Sequence, residues 1–100
     1  MSTPPSKKNE RGVFAPQNMA FRQLLIEARK ELQLSQVQLA RLLQRPQSFV
    51  SKYERGERRL DVVEFLEVAV ALNIDPVQIL RKMMRFMSDG KKKNSHHAKD

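Results

Sequence analysis

Gln47, Ser48, Ser51, Lys52 and Arg55 fall on one side of a short helical segment, and together they carry the groups that can address DNA. Stepping 100° per residue from Pro46 puts Val50 and Tyr53 within about 40° of it, as a buried stripe. The polar set points the other way, with Phe49 at the edge. A glutamine can pair bidentately with adenine, a lysine can reach guanine acceptors, and an aromatic edge can touch a thymine methyl. Gln47, Ser48, Phe49 and Lys52 are therefore candidate base contacts. Hydroxyls and cations nearby can hold phosphates. The alternative for this helix taken alone is a solvated face.

The elements that must position these residues can be read from their caps. Ser35 begins a Ser-x-x-Gln capping box with Gln38, which opens a helix through Leu39, Ala40, Leu42 and Leu43. A break at Gln44-Arg45 follows. Pro46 suits the first position of the next helix, where its missing N–H costs nothing. That helix is expected to run to about Glu54 and stop before Gly56. Upstream, Phe21, Leu24, Leu25, Ala28 and Leu32 follow the i, i+3, i+4, i+7 rule, predicting a helix from Asn18 to near Gln33. Asp61-Val62-Val63-Glu64 is a second capping box, opening a fourth helix with Val63, Leu66, Ala69, Val70 and Leu72 on its apolar side. Asp75-Pro76-Val77-Gln78 is a third and opens a fifth helix. No segment alternates as a strand would. The fold class is thus all-α, five helices over residues 18–87, with the paired short helices at positions two and three. Residues 1–17 hold Pro4, Pro5, Gly12 and Pro16 and read as a flexible arm in which Val13 and Phe14 could tuck against the domain. Residues 88–100 are polar and basic without a period and read as a disordered tail.

Composition narrows the partner. The 100 residues carry a formal charge of +8 and a pI near 10.3, which favours a polyanion. Cysteine is absent, so disulfides, thiolate metal sites and thiol catalysis are excluded. No apolar run approaches the roughly 20 residues of a membrane span. The N-terminus lacks the apolar region of a secretory signal, so a cytoplasmic location is expected. No glycine-rich phosphate loop, nucleophile motif or paired-carboxylate arrangement is evident, so the chain is not expected to be an enzyme. His96-His97 reads as part of the tail rather than a metal site. No metal, cofactor or small-molecule ligand is expected.

Arg29, Leu34-Ser35-Gln36, Leu39-Ala40, Val50-Ser51, Glu54-x-Gly56 and Ala71-Leu72 occur in an order that resembles the lambda-repressor-like, Cro/cI-type helix-turn-helix family, also called the xenobiotic-response-element family. The resemblance spans roughly residues 20–75. It implies that Gln36 binds a backbone phosphate at the start of the second helix, where free N–H groups favour anions. It also implies that small Ala40 lets the second and third helices cross closely, and that Gln47, Ser48 and Lys52 read bases. The loop from Arg55 to Arg59 would grip phosphate, and Arg29 and Glu54 would form a structural pair. The phosphate set is then Gln36, Arg45, Ser51, Arg55, Arg58 and Arg59. Gln44 stands where the family has glycine, Arg45 where it has an apolar residue, and Gln33 where glycine often precedes the second helix. A left-handed non-glycine residue costs on the order of 1 kcal/mol, so a differently shaped turn with Arg45 directed outward is one outcome.

On the fifth helix, Val77, Leu80, Met84 and Met87 form one apolar stripe, and Ile79, Met83 and Phe86 an adjacent one. Together they are wider than the ~100° a surface helix needs to pack on its own core. Val77, Leu80, Met83, Met84 and Met87 are therefore expected to form a homodimer interface, the N-terminal arm being the alternative cover. The expectation is a sequence-specific transcriptional regulator, a repressor, bound to double-stranded DNA as a homodimer on a pseudo-palindromic operator. One rival is an antitoxin that shares the DNA reader and neutralises a toxin. Another is a protein-interaction module that has lost DNA binding, which the outward cations disfavour.

Overall fold

The computed structural model describes the backbone of residues 15–99 and the side chains of residues 15–89. Among the described residues the chain forms five helices and no strand: α1 (Pro16–Glu31), α2 (Gln36–Leu43), α3 (Gln47–Arg55), α4 (Val62–Ala71) and α5 (Pro76–Lys99). Two of the three capping boxes form as the sequence predicts. Ser35 Oγ accepts from the Gln38 amide while the Gln38 side chain accepts from the Ser35 amide. Asp61 and Glu64 do the same at α4. At α5, Asp75 Oδ1 instead accepts from the Val77 amide, one position earlier than a capping box would use. Pro46 is the cap of α3 rather than its first residue, with ψ at 153°. Extended ψ there turns the chain sharply into α3, and the Pro46 carbonyl accepts from the Phe49 amide.

The first four helices end in one way. Gln33, Gln44, Gly56 and Asn73 each adopt a left-handed backbone, with φ of 60°, 57°, 83° and 56°. The amide after each closes onto a carbonyl five residues back, as in Leu34 to Arg29, Arg45 to Ala40, Glu57 to Lys52 and Ile74 to Ala69. This is the paired hydrogen-bond arrangement that satisfies the orphan carbonyls of a helix C-terminus. The turn between α2 and α3 thus keeps its left-handed shape without glycine.

The core gathers Leu25, Leu39, Val50, Tyr53, Phe65, Val68, Leu72 and Ile79, with Phe21 packed edge-on against Phe65 at 5.2 Å between ring centres. Ala40 is buried where α2 and α3 meet. Two expectations about burial are corrected. On α4, Val63, Leu66 and Val70 are exposed, and Phe65 and Val68 face inward with Ala69 and Leu72. The segment is apolar at nearly every position, so its period could not choose a face, and the bulk of Phe65 did. Leu32 caps α1 and is exposed rather than buried. The backbone of the fifth helix is described as far as Lys99. Lysine and alanine beyond Gly90 suit a helix, and no proline interrupts them. The expectations for Val13 and Phe14, and for the side chains of His96 and His97, fall outside what the structure describes.

Candidate nucleic-acid interface

The outward face of α3 holds what the sequence placed there. Gln47, Ser48 and Lys52 are exposed, and neither Gln47 nor Lys52 has a side-chain hydrogen bond within the described residues. Ser51 is half-buried and its hydroxyl donates back to the Ser48 carbonyl at 3.3 Å. Beneath them Val50 is fully buried and Tyr53 is 1% exposed, so the helix is anchored along its inner side.

Phe49 departs from expectation. Its ring is 7% exposed, packed edge-on against Tyr53 at 5.6 Å, and is not available to lie against a base edge. Arg45 and Arg58 cover it, with guanidinium carbons 4.6 and 4.9 Å from the ring centre. The quadrupole of an aromatic face attracts a cation at such distances. Phe49 sits only about 60° from the axis of the buried stripe, close enough for packing to draw it in.

Of the six predicted phosphate contacts, four are hydrogen-bonded to a glutamate carboxylate. Gln36 Nε2 donates to Glu54 Oε1 at 2.8 Å. Arg45 is turned back onto α4, where Nη2 meets Glu67 Oε1 at 2.9 Å, instead of standing free. Arg55 pairs with Glu57 through Nε and Nη2 at 3.0 and 3.1 Å, with both side chains more than half exposed. Arg58 makes a two-pronged contact with Glu64, both prongs at 2.8 Å, and donates to the Arg59 carbonyl. Arg59 is exposed, with no hydrogen bond from its own side chain among the described residues.

The carboxylate partners Glu57, Glu64 and Glu67 were not among the functional residues read from the sequence. Glu64 alone had a signal, as the far member of a capping box. It serves both roles, since its Oε1 accepts from the Asp61 amide and from Arg58. The Arg58 guanidinium first, and then the Asp61 amide, hold its carboxyl down at about 2.

A second cluster fixes α3 to α1. Arg29 reaches Glu54 with Nε and Nη2 at 2.8 and 3.0 Å and donates Nη1 to the Leu34 carbonyl at 2.7 Å. Both side chains are nearly buried, at 11% and 5% exposure. This is the structural pair that the family resemblance implied. Removing one partner of such a pair leaves a charge stranded away from water.

Tyr53 also lines a cavity of about 70 Å³ between α1 and the loop after α3, together with Asn18, Phe21, Arg22 and Leu25. Its hydroxyl is buried with no hydrogen-bond partner among the described residues. Burial raises the phenol well above its ordinary range; the Glu54 carboxylate adds to that and Arg29 opposes it. Gly56 borders the same cavity. A Cβ there would lie 2.7 Å from the guanidinium carbon at the tip of the flexible Arg22 side chain, which can move aside, so it is the left-handed φ that calls for glycine.

Among the described residues no helix is long and apolar enough to cross a membrane, and no His, Asp and Glu group is arranged to hold a metal ion.

A short helix ending in a left-handed turn, followed by a second short helix with a polar outward face, is the geometry of a DNA reader. The sequence profile described as Helix-turn-helix matches residues 25–79. The chain belongs to the XRE, or Cro/cI-type, helix-turn-helix family. It is accordingly a DNA-binding regulator of transcription with double-stranded DNA as its partner, in a family that is not enzymatic. Among solved structures it is similar to an XRE-family like protein from Pseudomonas syringae pv. tomato, at 44% identity and a TM-score of 0.68, covering 70% of this chain and 85% of that one. It is also similar to the restriction-modification controller protein C.AhdI from Aeromonas hydrophila, at 39% identity and a TM-score of 0.58, covering 62% and 94%. No curated protein matches the chain.

Proposed function

We propose that this helix-turn-helix protein is a sequence-specific repressor that binds a pseudo-palindromic operator as a homodimer in the cytoplasm. The observation that carries the reading is the split character of α3: Gln47, Ser48 and Lys52 face outward while Val50 and Tyr53 hold it from within. Seated in the major groove, Gln47 and Lys52 address base edges and Ser48 accepts or donates as the base requires. Gln36, Arg45, Ser51, Arg55, Arg58 and Arg59 then face the flanking phosphates, which set register without carrying sequence information. Phe49 drops out of the base-reading set and supports two of those arginines.

Val77, Leu80, Met84 and Met87 remain exposed on α5, and Met83 is half-buried, which supports a second copy packing there. Two such readers would enter successive major grooves about 34 Å apart. The resemblance to C.AhdI, a restriction-modification controller, agrees with a regulatory role. Selecting sites from a random DNA library, with the mass of the free protein measured in solution, tests the reading. A two-fold symmetric consensus and a dimer mass are expected. With the selected site in hand, Gln47→Ala should weaken specific binding by about 1–3 kcal/mol and leave random DNA nearly unaffected. Equal losses on both DNAs would show that Gln47 does not read bases.

A further inference from the structure

We propose that Glu64 and Glu67, both on α4, set the specificity of the DNA reader by neutralising Arg58 and Arg45 and pinning them on the Phe49 ring. The inference rests on the DNA-reading face proposed above and assigns a role to two carboxylates outside it.

The geometry is specific to these two pairs. Arg45 precedes α3 and Arg58 follows it, yet both guanidinium groups converge on one buried ring. Each is then tied to a carboxylate on the same face of α4, three residues apart and so adjacent on a helix. The Glu64 side chain is only 12% exposed, and its two-pronged contact holds Arg58 in one orientation. The Arg55–Glu57 pair differs, because both partners are well exposed and a pair of that kind opens at little cost.

An arginine already matched to a carboxylate releases few counterions when DNA approaches. It therefore adds little to the sequence-independent attraction that dominates binding to random DNA. The pinned guanidinium still keeps donors for a phosphate delivered at the right place. Arg45 uses only Nη2 on Glu67, and its Nε and Nη1 stay available. A phosphate meets those donors when α3 is seated in its groove at the correct register. The carboxylates thus subtract affinity from loosely docked complexes more than from the seated one.

The test measures binding to the selected operator and to random DNA across a salt series, for the full chain and for Glu64→Gln, Glu67→Gln and the double variant. Gln at position 64 retains the capping box, since glutamine serves there as well as glutamate. Glu27→Gln is the control for a bare change in net charge, because Glu27, on α1, lines a groove with Ile79 and Lys82 of α5. Each α4 variant should steepen the salt slope on random DNA by about 0.9 and raise that affinity by up to roughly eightfold at 0.1 M salt. Operator affinity should change by less than twofold, so the operator-to-random ratio falls. A purely structural role would lower both affinities and leave the slope unchanged, which would overturn the inference. Equal gains on both DNAs would overturn it as well, since the carboxylates would then set affinity and not specificity. Wild-type chain that binds neither DNA would instead remove the proposed function itself.

Discussion

Tyr53 is the residue at which the anchoring of α3 is least complete. Its side chain is 1% exposed, while its hydroxyl is buried without a hydrogen-bond partner among the described residues. An unsatisfied buried hydroxyl costs roughly 1–3 kcal/mol, so Tyr53→Phe should leave the fold intact and stabilise it by about 1 kcal/mol in urea unfolding. A loss of stability would show that the hydroxyl is hydrogen-bonded in solution. Phe49 makes the complementary point about legibility. Its place on the helical wheel left it at the border between inner and outer faces, and sequence alone cannot say which side a border residue takes. Two arginines from outside the helix decided it by closing over the ring. Gln47, Ser48 and Lys52 lie well clear of that border, and for them the wheel was enough.

At the scale of elements, caps were the most readable feature and apolar period the least. The boxes at Ser35 and Asp61 are local, needing only two side chains at fixed spacing, and both form. On α4 the run VVEFLEVAVA offers apolar residues all round, so the exposed face of Val63, Leu66 and Val70 was not predictable from spacing. The left-handed helix ends add a prediction of their own. Gln44 is exposed at φ 57°, and a Cβ is disfavoured in that conformation. Gln44→Gly should raise stability by about 1 kcal/mol in thermal or urea unfolding, because glycine adopts left-handed φ without the steric penalty. A neutral or negative result would mean that the flexibility glycine adds to the unfolded chain offsets the relief.

The cap of α4 also confers a pH dependence. Glu64 has its folded pKa near 2, lowered from an ordinary 4.5. A carboxyl depressed on folding stabilises the folded state above its unfolded pKa, and that contribution is lost as pH falls through the folded one. Stability owed to Glu64 should therefore be complete above about pH 4.5 and decline between there and pH 2. Melting temperatures recorded over that window for the native chain and for Glu64→Gln should converge toward the acid end. Parallel curves would assign the acid sensitivity to other carboxylates.

At the scale of the whole molecule, the proposed homodimer would join two DNA readers through α5. Leu80 is half exposed on α5, so Leu80→Glu should spare the monomer fold and disrupt association. Sedimentation should then report a monomer, and operator binding should weaken far more than binding to a single half-site. A dimer unaffected by the change would move the interface elsewhere, with the exposed α4 face of Val63, Leu66 and Val70 as the next surface to alter. The family was legible because its signature residues are spread across four helices, so the global arrangement was over-determined. What stayed hidden was the set of glutamates facing the arginines: Glu67 meets Arg45 across 22 positions, while Arg55 and Arg58 sit at and beyond the end of α3, where no helical period says which nearby carboxylate each will meet.

Gln44 carries a last implication beyond this protein. The bend between α2 and α3 is imposed by carbonyls that must find amides, and glycine merely makes that bend easier to reach. Genome surveys whose signature insists on glycine at this point will pass over regulators built like this one, and their tallies of such proteins will run low.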